Sequence, residues 1–329
     1  MRPLRLASLI LLIAALSACD PFAPVVTPTA VVIIVTPDAT ETPIPSPTTP
    51  PTATPTATLT PTPTATPAPL PCASDPGQVI RFDDFRSPSS GETLRYRVYI
   101  PPCYVEVQRR YPVLYLLPGL RQDETQWGTL GIAAVLDQGI RQGAIAPMIV
   151  VMPALGALGA RDAFPPGTSY EGYILDELRP AIERDFCTIQ QRDQRAIGGI
   201  SRGGFWAYSI ALRHPTVFGI VGGHAAAFDP ANAPAASNPL ELALDAPFLQ
   251  NANLRMYLDN GSNDPAGTNL GVFSGRLSAR GIAHTYVITP GAGHDDPYWA
   301  SQLDEYLLFY SQGWTRDVNS LPSCLEPSP

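Results

Sequence analysis

Gly199-Ile200-Ser201-Arg202-Gly203 sets a serine between two glycines at the G-x-S-x-G spacing. That spacing suits a tight strand-to-helix turn, in which the glycines let strand and helix approach while the serine hydroxyl stands exposed. The neighbourhood fits, because a strand-like run at 196–200 precedes the serine and a helix-like run at 204–212 follows it. A serine hydroxyl becomes a nucleophile only when a base takes its proton. All 21 basic residues are arginine, so Schiff-base, pyridoxal, Ser–Lys and P-loop chemistry are excluded together and histidine is the natural base. Of four histidines, His294 lies in Pro290-Gly291-Ala292-Gly293-His294, between the last strand and the last helix, and is the expected base. His214, before Pro215 at a helix end, is expected to cap carbonyls, and His284 to form a wall of the last strand. His224 follows a strand at 220–223 and is a candidate substrate contact.

The imidazole needs an acid to orient it and to stabilise its protonated form. Leu258-Asp259-Asn260-Gly261-Ser262-Asn263-Asp264 offers two. Asp264, farther out on the loop, is the expected partner; Asp259, at the strand end, reads as a turn-forming residue. Asp295 and Asp296 are too close to His294 in sequence to orient it and read as capping or solvated groups. A tetrahedral intermediate needs two backbone N–H donors. Arg202, directly after the serine, and Leu120, in Pro118-Gly119-Leu120-Arg121, are the expected ones. Trp127 and Trp299, with His224, are candidate pocket residues.

Short apolar runs at 112–117, 148–152, 196–200, 220–223, 254–258 and 285–288 read as strands buried on both faces. Between them, helical spacing appears at 130–140, 170–185, 205–212, 270–279 and 298–310. The alternation predicts an α/β domain, a mostly parallel central sheet with helices on both faces. Two further strands, 79–85 and 93–100, joined by Ser-Pro-Ser-Ser-Gly, predict an N-terminal antiparallel hairpin. In such sheets the working residues lie beyond the carboxyl ends of the strands. The hairpin brings its two ends together, so Cys72 is expected to pair with Cys103, leaving Cys187 for Cys324. No CxxC or HExxH spacing occurs, and neither a metal nor a cofactor is expected.

The chain of 329 residues has a formal net charge of −8 and no arginine cluster, which argues against a nucleic-acid partner. Residues 1–18 combine Arg2 and Arg5 with a short apolar run and a small-residue exit, the pattern of a secretory signal. Leu16-Ser17-Ala18-Cys19 is similar to a bacterial lipobox, so Cys19 is the expected lipidation site, and the chain is expected to be exported and anchored on the outer side of a bacterial membrane. Residues 19–71 are Thr/Pro-rich and read as an extended, solvated, disordered linker, with Val31 to Val35 too short to span a bilayer. Residues 72–329 form the folded domain.

Tyr111 to Gly119, Trp127, Gly198-Gly199-Ile200-Ser201-Arg202-Gly203-Gly204 and Gly293-His294-Asp295 resemble the esterase D family. That family includes feruloyl and acetyl-sugar esterases, S-formylglutathione hydrolases, enterochelin esterases and mycolyltransferases. The resemblance covers about 78–312 and implies the α/β-hydrolase fold, a serine hydrolase acting on carboxylic esters, and the roles given above to Ser201, Asp264, His294, Leu120 and Arg202. Pro118 departs from the pattern, standing where most relatives have histidine. The implied substrate is a small-molecule or polysaccharide-linked ester. An acyltransferase of the mycolyltransferase type, or a non-catalytic binding module, are the alternative readings.

Overall fold

A computed structural model describes residues 31–35, 71–231 and 233–326. The signal sequence, Cys19 and most of the Thr/Pro-rich segment lie outside the described residues. Nine strands form one sheet: β1 Val31–Val35, β2 Gln78–Phe82, β3 Tyr96–Ile100, β4 Val113–Leu117, β5 Ile149–Pro153, β6 Arg195–Ile200, β7 Ile220–His224, β8 Arg255–Gly261 and β9 His284–Thr289. Their order is β1-β9-β8-β7-β6-β4-β5-β3-β2. β5, β4, β6, β7, β8 and β9 are parallel, whereas β3 joins β5, β2 joins β3 and β1 joins β9 antiparallel.

Burial on both faces explains the unbroken apolar runs. In β4, Val113, Tyr115 and Leu117 enter the core on one face, and Leu114 and Leu116 enter the core on the other. Alternate residues of a strand point to opposite faces, so no position of a doubly covered strand is left for a polar residue. One face is covered by α1 (Ile132–Arg141) and α6 (Leu303–Ser311), the other by α2 (Arg202–Arg213), α3 (Pro239–Asp245) and α4 (Gly267–Ala279). The helical stretch at 170–185 has a π-helical middle, Tyr173–Leu178. The single helix expected over 298–310 is two, α5 (Asp296–Ser301) and α6, broken at Gln302.

The linker reading needs correction at one place. Val31–Val35 is not solvated tether but an edge strand, with Val31 opposite Ile288 and Val35 opposite His284. A Val/Ile run favours extended backbone, and β9 otherwise presents an unpaired edge to it. Its length bears only on a bilayer, and its fit to a sheet edge depends on the sheet.

Disulfides join Cys72 to Cys103 and Cys187 to Cys324, the pairing that the hairpin leads one to expect. The second ties the C-terminal tail to the loop before β6, and the same tail bonds to the segment before β4, where Cys324 N–H donates to Gln108 O and the Arg109 guanidinium to Leu321 O. The double variant Cys187→Ala/Cys324→Ala should lose about 2–5 kcal/mol of stability. Urea denaturation of the oxidised parent and the variant measures it.

Candidate active site

Ser201 sits between β6 and α2 with φ 52° and ψ −113°, a left-handed conformation that costs a non-glycine residue about 1–3 kcal/mol. Surrounding hydrogen bonds hold it there. Ser201 N–H donates to His224 O (2.9 Å), while Ser201 O accepts from Phe205 N–H and Ala227 N–H (both 3.0 Å). The flanking glycines are needed for approach. A Cβ on Gly199 would press on the Gly203 carbonyl, and one on Gly203 would press on the backbone of Leu117 and Pro118.

Ser201 and His294 line one cavity of about 380 Å³, with Gly119, Leu120, Gln122, Gln126, Asp295, Asp296 and Trp299. His294 Nδ1 is 2.8 Å from Asp264 Oδ2, and the Asp264 side chain is fully buried. Asp264 is itself steadied by Ala266 N–H donating to its Oδ1 at 2.8 Å. Its loop is laced to the histidine loop: Ser262 N–H donates to Thr289 O, Asn263 N–H to Ala292 O, and Gly291 N–H to Ser262 Oγ. Gly261 lies at their crossing, where a Cβ would collide with Ala292 O. The Trp299 ring meets the His294 ring edge to face at 5.0 Å between centroids. This set can take a proton from a serine hydroxyl, hold the resulting imidazolium against a carboxylate and leave the cavity open to substrate.

Leu120 is half exposed on the cavity rim, and Arg202 opens α2 immediately after the serine. Gly119 N–H is already committed to Gln126 Oε1 (2.8 Å), which leaves Leu120 as the next amide of that loop. The Arg202 side chain turns away from the cavity. Its guanidinium donates to Gly159 O, Arg161 O and Asp162, and lies over the Phe205 and Trp206 rings. Burial holds that guanidinium below its ordinary range, with the Asp162 charge opposing. A larger hollow of about 490 Å³, between Arg95, Arg121, Asp123 and Leu155, shares Gln122 with the cavity but contains neither Ser201 nor His294.

Two candidate pocket residues do not reach the cavity. Trp127 is buried and spends its indole N–H on Leu117 O. His224 is wholly buried: Nδ1 is 2.8 Å from Asp259 Oδ1, and Nε2 is 2.9 Å from the Tyr310 hydroxyl. Asp259 also accepts from the hydroxyls of Tyr298 (2.6 Å) and Tyr306 (2.7 Å). It is therefore the hub of a buried network rather than a turn former. Both ring nitrogens of His224 are thus satisfied, Nδ1 by the Asp259 carboxylate and Nε2 by the Tyr310 hydroxyl. Burial, seconded by the Asp259 charge, pushes the Tyr298 and Tyr306 hydroxyls well above the ordinary tyrosine range, so both stay protonated donors. Sequence spacing carries no trace of this network. His224 and Asp259 meet because β7 and β8 are neighbours in matching register.

The remaining polar residues fall as follows. His214 pairs with Glu171 (2.7 Å) instead of capping carbonyls with its ring. His284 is buried between Ser274 and the Ile282 carbonyl, and burial lowers its pKa. Asp295 N-caps α5 through Tyr298 N–H. Gln122 and Gln126, which no motif singled out, line the cavity because the loop after β4 folds back over it.

The order of strands, the serine turn after β6 and the acid and histidine loops after β8 and β9 define the α/β-hydrolase class. Within it, residues 87–310 match the family model described as "Putative esterase", and the chain belongs to that Esterase family. The endo-1,4-beta-xylanase/feruloyl esterase of Xylanibacter ruminicola is 38% identical over 150 residues, covering 42% of this chain and 20% of that protein. Esterase Rv1288 of Mycobacterium tuberculosis is 32% identical over 146 residues, covering 43% of this chain and 30% of that protein. The match thus spans less than a third of either relative. A solved ferulic acid esterase superposes with a TM-score of 0.65 at 25% identity, covering 72% of this chain and 98% of that one. An S-formylglutathione hydrolase from Staphylococcus aureus shares the fold, with a TM-score of 0.59 at 20% identity over 71% of this chain and 98% of that one.

Two aspartates five residues apart should separate stability from turnover. Asp259→Asn disrupts a buried charge with three donors and should cost about 3–5 kcal/mol. Asp264→Asn, whose Oδ1 contact survives, should stay within about 1 kcal/mol of the parent. Urea midpoints of both variants provide the comparison.

Proposed function

We propose that the chain is a serine esterase that cleaves carboxylic esters through an acyl-enzyme, exported and held at the cell surface by lipidated Cys19. The carrying observation is the 2.8 Å contact between His294 and the buried Asp264 in the cavity that also holds Ser201. Family membership and the relatives named as feruloyl esterases support ester hydrolysis.

In this reading Ser201 Oγ attacks the ester carbonyl while His294 Nε2 takes its proton, and Asp264 stabilises the imidazolium. The backbone N–H groups of Leu120 and Arg202 receive the negative charge on the carbonyl oxygen. Collapse breaks the C–O bond to the alcohol, which leaves with the proton from His294. Water then attacks the acyl carbon, giving a proton to the same nitrogen; the bond from that carbon to Ser201 Oγ breaks, the carboxylic acid leaves, and His294 returns the proton to Oγ. His294 is about a third exposed, which leaves water a path to the acyl-enzyme.

Hydrolysis of nitrophenyl acetate by the full chain provides the test. Ser201→Ala and His294→Ala should each lower kcat by at least about 10³-fold, and Asp264→Asn by about 10²- to 10⁴-fold. Circular dichroism should be unchanged in all three. Parent-like turnover in Ser201→Ala would refute the assignment.

A further inference from the structure

β1 enters the sheet at the same end as the candidate site. It runs antiparallel to β9, so Val31 lies opposite Ile288, near the carboxyl end of β9, and Val35 lies opposite His284 at its start. β9 is parallel to β8, β7 and β6, and Ser201, Asp264 and His294 all follow the carboxyl ends of these parallel strands. The chain before Val31 therefore departs from the site end of the domain. The chain after Val35 departs from the opposite end.

The first residue of the strand at the other sheet edge lies at that same remote end. Gln78 opens β2 opposite Ile100, the last residue of β3, and β3 is antiparallel to β5. Gln78 thus also lies at the end remote from the site. Crossing nine strands takes eight spacings of ~4.8 Å, about 38 Å. The 35 residues of 36–70 can cover this about three times over at up to about 3.5 Å each, with no need to pass the site.

We propose that residues 20–30 are the working tether, that 36–70 are a loop joining the two edges of one domain, and that the Ser201–His294 face is presented to the lipid surface holding Cys19. This rests on the lipidation reading above. Val31 is 12 residues beyond Cys19, so the site end is held within about 42 Å of the surface, against about 180 Å for a linear tether of 52 residues reaching to Pro71. The rim residue Leu120 is half exposed and lies on that end. The substrate class favoured by this geometry is an ester presented at the lipid surface, in preference to one on a distant polymer.

The experiment uses the lipidated full chain on phosphatidylethanolamine/phosphatidylglycerol vesicles, with nitrophenyl palmitate in the bilayer and nitrophenyl acetate in solution. A 20-residue Gly/Ser insertion after Pro28 lengthens the proposed tether from 12 to 32 residues. Turnover of the palmitate should fall about fourfold, as effective concentration falls with the −3/2 power of length. The same insertion after Pro55 should leave palmitate turnover unchanged, and acetate turnover should stay constant in both. Equal losses from the two insertions would mean a linear tether and overturn the proposal. So would vesicle binding that survives Cys19→Ser. The strand itself is tested separately with Val32→Cys/Val287→Cys, a register pair that should cross-link on oxidation; failure to cross-link also overturns the proposal. Loss of acetate hydrolysis in the parent would instead strike the esterase reading, and the cross-link and vesicle-pelleting results would still decide the tether.

Discussion

The backbone crossing at Ser201 is the constraint on which the rest of the site depends. A left-handed serine is unfavourable alone, and it persists because neighbouring groups over-determine it. The carbonyl of His224 takes its N–H, two later amides take its carbonyl, and Gly199 and Gly203 let strand and helix meet backbone to backbone. Each of these contacts depends on β6 lying between β4 and β7 in a parallel sheet covered on both sides. The strained turn is therefore held by the whole sheet, and it fixes where a serine hydroxyl can stand.

Beneath that turn, two carboxylates on one strand end do different work because their surroundings differ. Asp259 closes on three donors from three other elements and links the end of β7 to α5 and α6. Its contribution is to hold β7 against the helices that carry Tyr298, Trp299 and Tyr306. Asp264 is just as buried, but it meets an imidazole that is partly open to solvent. Only a carboxylate in that second position can answer a change of charge on His294.

The sheet edges show how the chain before the domain becomes part of it. A five-residue Val/Ile run is too short to have stable structure alone, yet β9 offers it a complete row of hydrogen-bonding groups. Its antiparallel sense sets Val31 beside the carboxyl end of β9 and Val35 beside its start. Within a segment whose composition reads as linker, Val31–Val35 thus belongs to the sheet.

The sequence by itself determined the alternation of strands and helices, since a doubly buried strand must be apolar throughout. It also determined the serine turn, because Gly199 and Gly203 flank Ser201 at the spacing such a turn requires. His294 was legible from the absence of lysine and its place after the last strand, and the pairing of Cys72 with Cys103 from the hairpin between them. What tertiary structure alone decided was every relation that depends on strand order and register. Trp127 and His224 look like pocket residues in sequence, but the covering helices bury both. Asp259 looks like a turn residue until β7 is set beside β8. Gln122 and Gln126 reach the cavity through the fold of one loop, and Val31–Val35 becomes a strand only when an unpaired edge lies within reach. Local patterns record what each segment can be, and long-range backbone pairing determines which of those possibilities is satisfied.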